Sequence, residues 1–300
     1  MVAETVVIET ADLRKDYGGV EVVRGLNLRV PAGSIFAFLG RNGAGKTSTI
    51  KILLGMSRPT SGRAHVFGLA ADAPKASVAI RRRTGFVSEE KDLYDLMSVD
   101  QIIRFTASFY PSWRHDLERH YLRCFELPPG RKVKDLSRGM RTKLALLLAF
   151  SRGAELLVLD EPTSGLDPAV TEEVLQALVA QVASQEMTVF LSSHHLTDVD
   201  QVADRIAIID HGRVVVSGAL EDLREAYRRI QLVFDGDAPE PAFRAPGVVH
   251  TQRRGRVLTV LCSMDFEQVL HEARALNAVS VEVMPVTLKE IFLETVNGEN

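Results

Sequence analysis

The chain has 300 residues, 46% of them hydrophobic, with a formal net charge of −3. That length and apolar content suit roughly two globular domains with real cores. The near-balanced charge gives no general electrostatic case for nucleic acid as a partner. The two cysteines, Cys124 and Cys262, are far apart and match no metal or redox spacing, so a reduced, intracellular protein is expected. The first residues, Met1-Val2-Ala3-Glu4, lack the basic and apolar regions of a signal peptide.

Residues 5–30 alternate as β-strands do, with a turn at Gly18-Gly19. Pro31-Ala32-Gly33 turns the chain into a short apolar strand over residues 34–39. Next comes Gly40-Arg41-Asn42-Gly43-Ala44-Gly45-Lys46-Thr47-Ser48, which fits the phosphate-binding pattern G-x-x-x-x-G-K-[ST]. A helix over residues 48–54, closed by Gly55, is expected to follow. The order strand, loop, helix matters. Glycines at Gly40, Gly43 and Gly45, with the small Ala44, let backbone N–H groups converge on a phosphate, and a helix N-terminus adds partial positive charge. Lys46 is placed to reach the β- and γ-phosphates, and the Thr47 hydroxyl to ligate Mg²⁺. A plain glycine turn with a solvated lysine leaves the flanking strand and helix unexplained, so a nucleoside triphosphate is the expected ligand. Tyr17, just before the double glycine, is either a flat face for a nucleobase or an ordinary half-buried strand aromatic.

Pro59-Thr60-Ser61-Gly62 reads as a turn and residues 63–67 as a strand. From residue 93 to 127 the pattern is helical and poor in β-branched residues. It reads as an inserted helical subdomain, bounded by Pro128-Pro129-Gly130. Leu136-Ser137-Arg138-Gly139-Met140 precedes an apolar helix through Phe150. Its run over residues 144–150 is the longest apolar stretch, far short of the ~20 residues that cross a bilayer. A soluble chain is expected, with any membrane role going through a partner. Residues 156–162 form a strand apolar on both faces that ends in Asp160-Glu161. Such strands belong in parallel sheets, which place ligands at their C-terminal ends. Asp160 is then a Mg²⁺ ligand, directly or through water, and Glu161 orients or deprotonates the water that attacks the γ-phosphate. Ser164-Gly165-Leu166-Asp167-Pro168 turns into an amphipathic helix carrying Val174, Leu175, Leu178 and Val182. A buried strand over residues 188–191 brings Ser192-Ser193-His194 to the same sheet edge, where His194 is expected to contact the γ-phosphate.

Beyond Gly218 the composition shifts. A charged helix over residues 221–229 and a linker-like loop, Asp235-Gly236-Asp237-Ala238-Pro239-Glu240-Pro241, are expected. Strands over 230–234, 248–251, 256–262 and 279–283, with helices over 266–276 and 288–296, complete a small α+β domain without recognisable chemistry. Arg253-Arg254-Gly255-Arg256 reads as a solvated hairpin turn rather than a nucleic-acid patch.

Over residues 5–220 the chain resembles the nucleotide-binding subunits of ABC transporters, because five short motifs occur in that family's order and spacing. These are the phosphate loop, Leu136-Ser137-Arg138-Gly139-Met140 in place of the LSGGQ signature, the Asp160-Glu161 strand, Ser164-Gly165-Leu166-Asp167, and His194. The resemblance implies an α/β P-loop NTPase cassette: a mixed β-sheet core, an antiparallel β subdomain and an inserted helical subdomain. The cassette is expected over residues 1–220, its helical subdomain over about 90–135, and the accessory α+β domain over 221–300.

The resemblance also implies an ATPase that uses Mg²⁺ and dimerises head to tail, as a homodimer or heterodimer. Tyr17 then stacks on adenine. The loop from Gly40 through Asn42 to Ser48 holds the phosphates, and Ser137, Gly139 and Asp167 serve the ATP shared across the dimer. The partner is an integral membrane permease and the location cytoplasmic, peripheral on the inner face of the membrane, with no nucleic acid. The ending Thr287-Leu288-Lys289-Glu290-Ile291-Phe292-Leu293 is similar to tails of exporter ATPases whose membrane subunits are separate. Two departures stand out. Arg138 and Met140 replace the signature's Gly and Gln, and Glu89, in Gly85-Phe86-Val87-Ser88-Glu89-Glu90, replaces a Gln that offers a neutral oxygen to Mg²⁺. The alternative is a soluble ABC ATPase acting on the ribosome or DNA. Such proteins carry paired cassettes or a long coiled coil, and this chain has neither. A P-loop kinase or GTPase lacks support, because no Asn-Lys-x-Asp motif occurs.

Overall fold

The computed structural model describes residues 5–297 apart from 186 and 264. The segment Met1-Val2-Ala3-Glu4, where no signal peptide is expected, lies outside the described residues. The chain divides into two compact units, Met1–Ser217 and Gly218–Asn300.

The first unit opens with a hairpin of β1 (Val6–Tyr17) and β2 (Val20–Pro31), turned at Gly18-Gly19 with both glycines at positive φ. The all-buried β3 (Ile35–Leu39) leads into the loop and α1 (Lys46–Leu53). The helix begins two residues before the sequence suggests, because the turn after Gly45 is already helical. β4 (Ser61–Val66) and the short β5 (Leu69–Ala70) join the hairpin in an antiparallel sheet ordered β2-β1-β4-β5. Residues 74–87, unassigned from sequence, hold α2 (Pro74–Arg83), entered through Pro74 in its first turn, and β6 (Thr84–Val87).

The helical insert consists of α3 (Val99–Ala107) and α4 (His115–Cys124). A reciprocal capping box between Ser98 and Gln101 starts α3. α5 (Arg138–Ser151) packs against α4 and is buried along most of its length. β7 (Leu156–Asp160), α6 (Pro168–Gln185), β8 (Thr188–Ser193), α7 (Leu196–Val202), β9 (Arg205–Asp210) and β10 (Arg213–Ala219) follow.

The central sheet is ordered β10-β9-β3-β8-β7-β6. β9, β3, β8, β7 and β6 run parallel, whereas β9 and β10 are joined by only His211-Gly212, which forces a hairpin. β3, β7 and β8 are buried at every residue, as a sheet covered on both faces requires. Phe36 and Phe38 pack on Phe190 at centroid distances of 5.9 and 5.6 Å. The register pairs Leu39 with Ser193 and Asp160 with Ser192, so the C-terminal ends of three strands lie level. That edge carries the phosphate loop, Asp160-Glu161 and His194.

In the second unit, α8 (Leu220–Ala226) ends three residues earlier than the sequence suggests. Arg228 and Arg229 instead open β11 (Arg228–Val233), where pairing with strands on both sides outweighs helical continuation. β12 (Val248–Arg254) and β13 (Val257–Cys262) form a hairpin turned at Gly255. α9 (Phe266–Arg274), β14 (Ser280–Pro285) and α10 (Leu288–Asn297) complete an antiparallel sheet ordered β12-β13-β11-β14 with two helices. Its core joins Ile230, Leu232, Leu258 and Val260 to Val269 and Ala273 of α9. Arg229 and His250 pair with Glu290 and Glu294 of α10.

Candidate functional site

The loop between β3 and α1 wraps a cavity of about 260 Å³ lined by Val22, Asn42, Gly43, Gly45, Lys46, Thr47, Ser48, Glu89 and Glu161. Gly45 has φ +107, and a Cβ there would meet the Val22 carbonyl oxygen at 2.7 Å. Only glycine lets this backbone bend inward and α1 start. Lys46 is buried, and its Nζ donates to the carbonyl oxygens of Gly40 at 2.7 Å and Arg41 at 3.3 Å. The ammonium also lies 3.1 Å from Glu161 Oε1 as an ion pair, without the alignment of a hydrogen bond.

Asp160 and Glu161, adjacent in sequence, face different partners. Thr47 Oγ1 donates to Asp160 Oδ2 at 2.8 Å, and Ser192 Oγ donates to Oδ1 at 2.6 Å. Asp160 is therefore fixed by hydroxyls from α1 and β8 at once. Glu161 has φ +49, left-handed for a residue with a side chain. Its N–H donates to the main-chain and side-chain oxygens of Ser192, both at 3.2 Å. Its carboxylate reaches the other way: Oε2 lies 2.8 Å from Nδ1 of His194 and accepts from the His194 main-chain N–H at 3.4 Å. The elbow turns Glu161 away from the Thr47–Asp160 pair and toward Lys46 and His194.

Hard oxygens set this site's metal preference. Among the described residues no three carboxylate, imidazole or thiolate groups converge as a complete metal cage. Thr47 Oγ1 and Asp160 Oδ2, 2.8 Å apart, form a small oxygen pair beside the phosphate loop. That set fits Mg²⁺, which is bound through one or two protein oxygens and completed by substrate phosphates and water.

Tyr17, Ser137, Gly139 and Asp167 do not line this cavity. Tyr17 is 48% exposed, with Lys15 Nζ 4.8 Å from its ring centroid. A hydrogen bond with Ser57 draws its phenol below the ordinary tyrosine value, with Ser48, Lys15 and Lys51 acting the same way against the opposing effect of burial. Exposed Ser137 caps α5, its Oγ accepting from the Met140 N–H at 3.2 Å, which leaves the hydroxyl proton free to donate outward. Asp167 Oδ1 likewise accepts from Val170 N–H at 3.0 Å at the start of α6. Arg138 lies over Gly165, where a Cβ would collide with the guanidinium, so the replaced signature residue packs on this chain's own Ser164-Gly165-Leu166-Asp167 loop.

Two residues at the site escape the sequence reading. In the sequence Ser192 stands out only as part of a strand end, yet it binds both Asp160 and Glu161. Lys91, two residues after Glu89, sits in the charged run Glu89-Glu90-Lys91-Asp92, yet it is buried, with Nζ donating to the Glu161 carbonyl oxygen at 3.4 Å. Burial holds its ammonium below the ordinary lysine value and repulsion from Arg138 adds to this, while Glu89, Glu161 and Asp160 oppose it. No pattern in the sequence marks the position as buried.

Comparison with known proteins finds the ABC transporter family model matching residues 23–164. A daunorubicin/doxorubicin resistance ATP-binding protein, DrrA of Streptomyces peucetius, is 37% identical over 74% of this chain and 68% of its own length. The ABC transporter ATP-binding protein YtrB of Bacillus subtilis (strain 168) is 28% identical over 98% of this chain and 99% of its own, a match spanning both units. Among solved structures, an ATP-binding subunit of an ABC transporter superimposes with a TM-score of 0.66 at 30% identity, over 73% of this chain and 92% of that one.

Proposed function

The chain belongs to the ABC transporter family as an ATP-binding subunit that hydrolyses ATP to energise transport, and from that premise we propose how its residues divide the work. One observation carries the reading: two phosphate-loop residues meet the adjacent carboxylates at the end of β7, Thr47 reaching Asp160 at 2.8 Å and Lys46 reaching Glu161 at 3.1 Å, with His194 2.8 Å from Glu161. Lys46 binds the β- and γ-phosphates, which compete with Glu161 for its ammonium and so release that carboxylate. Glu161, steered by His194, then orients the attacking water and accepts its proton. Thr47 and Asp160 hold Mg²⁺, with Glu89 as a further candidate oxygen, and the ion supplies charge neutralisation at the phosphates. Main-chain N–H groups at the start of α1 add fixed positive dipoles where charge develops.

Tyr17 offers its open face to adenine. Ser137, Gly139 and Asp167, away from the chain's own cavity, serve the nucleotide held by a second ATPase subunit in a head-to-tail dimer. The permease partner is supported by a groove lined by Met56, Val78, Phe86 and Phe109, of which Met56 (52%) and Phe109 (63%) stand exposed to solvent. Tyr94, Phe105 and Phe109 form an edge-to-face ladder at 5.3 and 5.1 Å. Exposed Phe109, which joins that ladder to the groove flanked by Arg81 and Arg82, suits a helical segment of an integral membrane protein. Among the described residues no helix is long and apolar enough to cross a membrane, so we place the chain peripherally at the inner membrane face. A relative named for drug resistance favours outward transport. The short helices α3 and α4 leave no coiled coil for a DNA- or ribosome-directed ATPase.

The test is to purify the chain alone and with its membrane subunit, and to measure MgATP hydrolysis in each. A basal rate that rises faster than linearly with dilute protein, and rises further on assembly, is expected. A rate per molecule independent of dilution, and indifferent to the membrane subunit, contradicts the shared-site reading.

A further inference from the structure

We propose that Lys91 is a positioning residue for ATP hydrolysis: its buried ammonium holds the main chain of Glu161 in the elbow from which the carboxylate is aimed. The proposal rests on Glu161 as the group that orients the attacking water. A left-handed residue with a side chain persists only where its surroundings over-determine it. Here both peptide groups of Glu161 are held. The N–H side is fixed by the two Ser192 oxygens at 3.2 Å. The carbonyl oxygen accepts from Ser164 N–H at 3.3 Å and from Lys91 Nζ at 3.4 Å, filling both lone pairs. Lys91 is itself set by a turn, with φ +50 and its N–H donating to the Ser88 carbonyl oxygen at 3.2 Å.

Burying a lysine costs far more than burying an apolar residue of the same reach, unless its charge is used. The one side-chain hydrogen bond of Lys91 among the described residues is to the Glu161 carbonyl oxygen at 3.4 Å, and the nearby charges acting on the ammonium are Arg138, Glu89, Glu161 and Asp160. Glu161 is thus bracketed by two lysines: Lys46 on its carboxylate and Lys91 on its main chain. Loss of the second frees the carbonyl to rotate with φ, which swings the carboxylate from His194 and Lys46 while leaving the phosphate-binding main chain in place. The expected signature is a fall in turnover with nucleotide affinity retained.

The experiment compares the full-length wild type with Lys91→Met, Lys91→Arg and Glu161→Gln for kcat, KM, binding of a fluorescent ATP analogue and thermal unfolding. Lys91→Met is expected to lower kcat by about tenfold or more while KM and analogue affinity stay within about threefold. Lys91→Arg, which keeps a buried cationic donor, is expected to recover most of the loss. Unchanged kcat in Lys91→Met beside an inactive Glu161→Gln overturns the proposal and leaves the Glu161 reading standing. An active Glu161→Gln overturns that reading instead. A loss in Lys91→Met that matches a loss of analogue affinity and unfolding temperature, and that Arg does not rescue, marks a structural lysine and also overturns the proposal. If Lys91→Met fails to fold, Lys91→Gln takes its place: a fall in kcat with analogue affinity retained, recovered in Lys91→Arg, supports the proposal, and an unchanged kcat overturns it.

Discussion

Glu89 brings a carboxylate to the phosphate-loop cavity, where the family pattern has a neutral amide. A charged oxygen suits a hard cation, so under the proposed reading Glu89 is expected to tighten Mg²⁺ binding rather than remove it. Glu89→Gln is expected to leave ATP-analogue affinity within about twofold while raising the Mg²⁺ concentration for half-maximal turnover by about threefold or more. A Mg²⁺ titration of ATPase rate, at fixed ATP, checks this; superimposable curves mark Glu89 as a bystander on the cavity wall. Residues such as Lys46 and Thr47 were readable because a phosphate loop confines them to one spacing. Ser192 and Lys91 were not, because their importance arises from register between β7 and β8 and from a turn after β6. Both are products of tertiary packing, and Lys91's charged neighbours Glu89, Glu90 and Asp92 disguise its burial.

At the scale of elements, the strands of the central sheet were legible wherever both faces were buried, as in β3, β7 and β8. α2 and β6 were missed because Arg81-Arg82-Arg83 masks a short helix whose only large buried apolar residue is Ile80. The end of α2 is tied to the start of β7 by Arg83 and Glu155, a two-point pair with both contacts at 2.6 Å, and the guanidinium also lies 3.8 Å from the centre of the Phe67 ring. Hydrogen bonding from Arg83 holds the Glu155 carboxyl below its ordinary value, only partly opposed by burial. A depressed folded-state value means the pair stabilises at pH above the unfolded carboxylate value and loses that contribution as pH falls through the folded one. Because both side chains are largely solvated, with 40% and 56% exposure, Glu155→Gln is expected to cost no more than about 1 kcal/mol near neutrality. Urea unfolding of both proteins at about pH 7 and at successively lower pH below about 4.3 should show that difference shrinking. A difference constant with pH would mean that shape, not charge, is what Glu155 supplies.

For the whole molecule, the order of motifs carried the fold class and the ATPase function, and the second unit's α+β character followed from its alternating strands. Its role did not follow, since its core is apolar and charged groups such as Arg229 and His250 pair within the unit. In the function proposed above, ATP sites are completed only when two subunits meet, and Glu161 ends that state by hydrolysis. The chain's own phosphate-loop cavity lacks Ser137, Gly139 and Asp167, although Ser137 keeps a hydroxyl proton to offer outward. The most direct measurement is light scattering of Glu161→Gln during size exclusion, with and without MgATP, beside its hydrolysis rate. The prediction is a stable dimer appearing only with MgATP, holding two unhydrolysed nucleotides, with turnover reduced by about a hundredfold or more. A variant that stays monomeric at saturating MgATP while still hydrolysing it would contradict both the shared site and the role of Glu161.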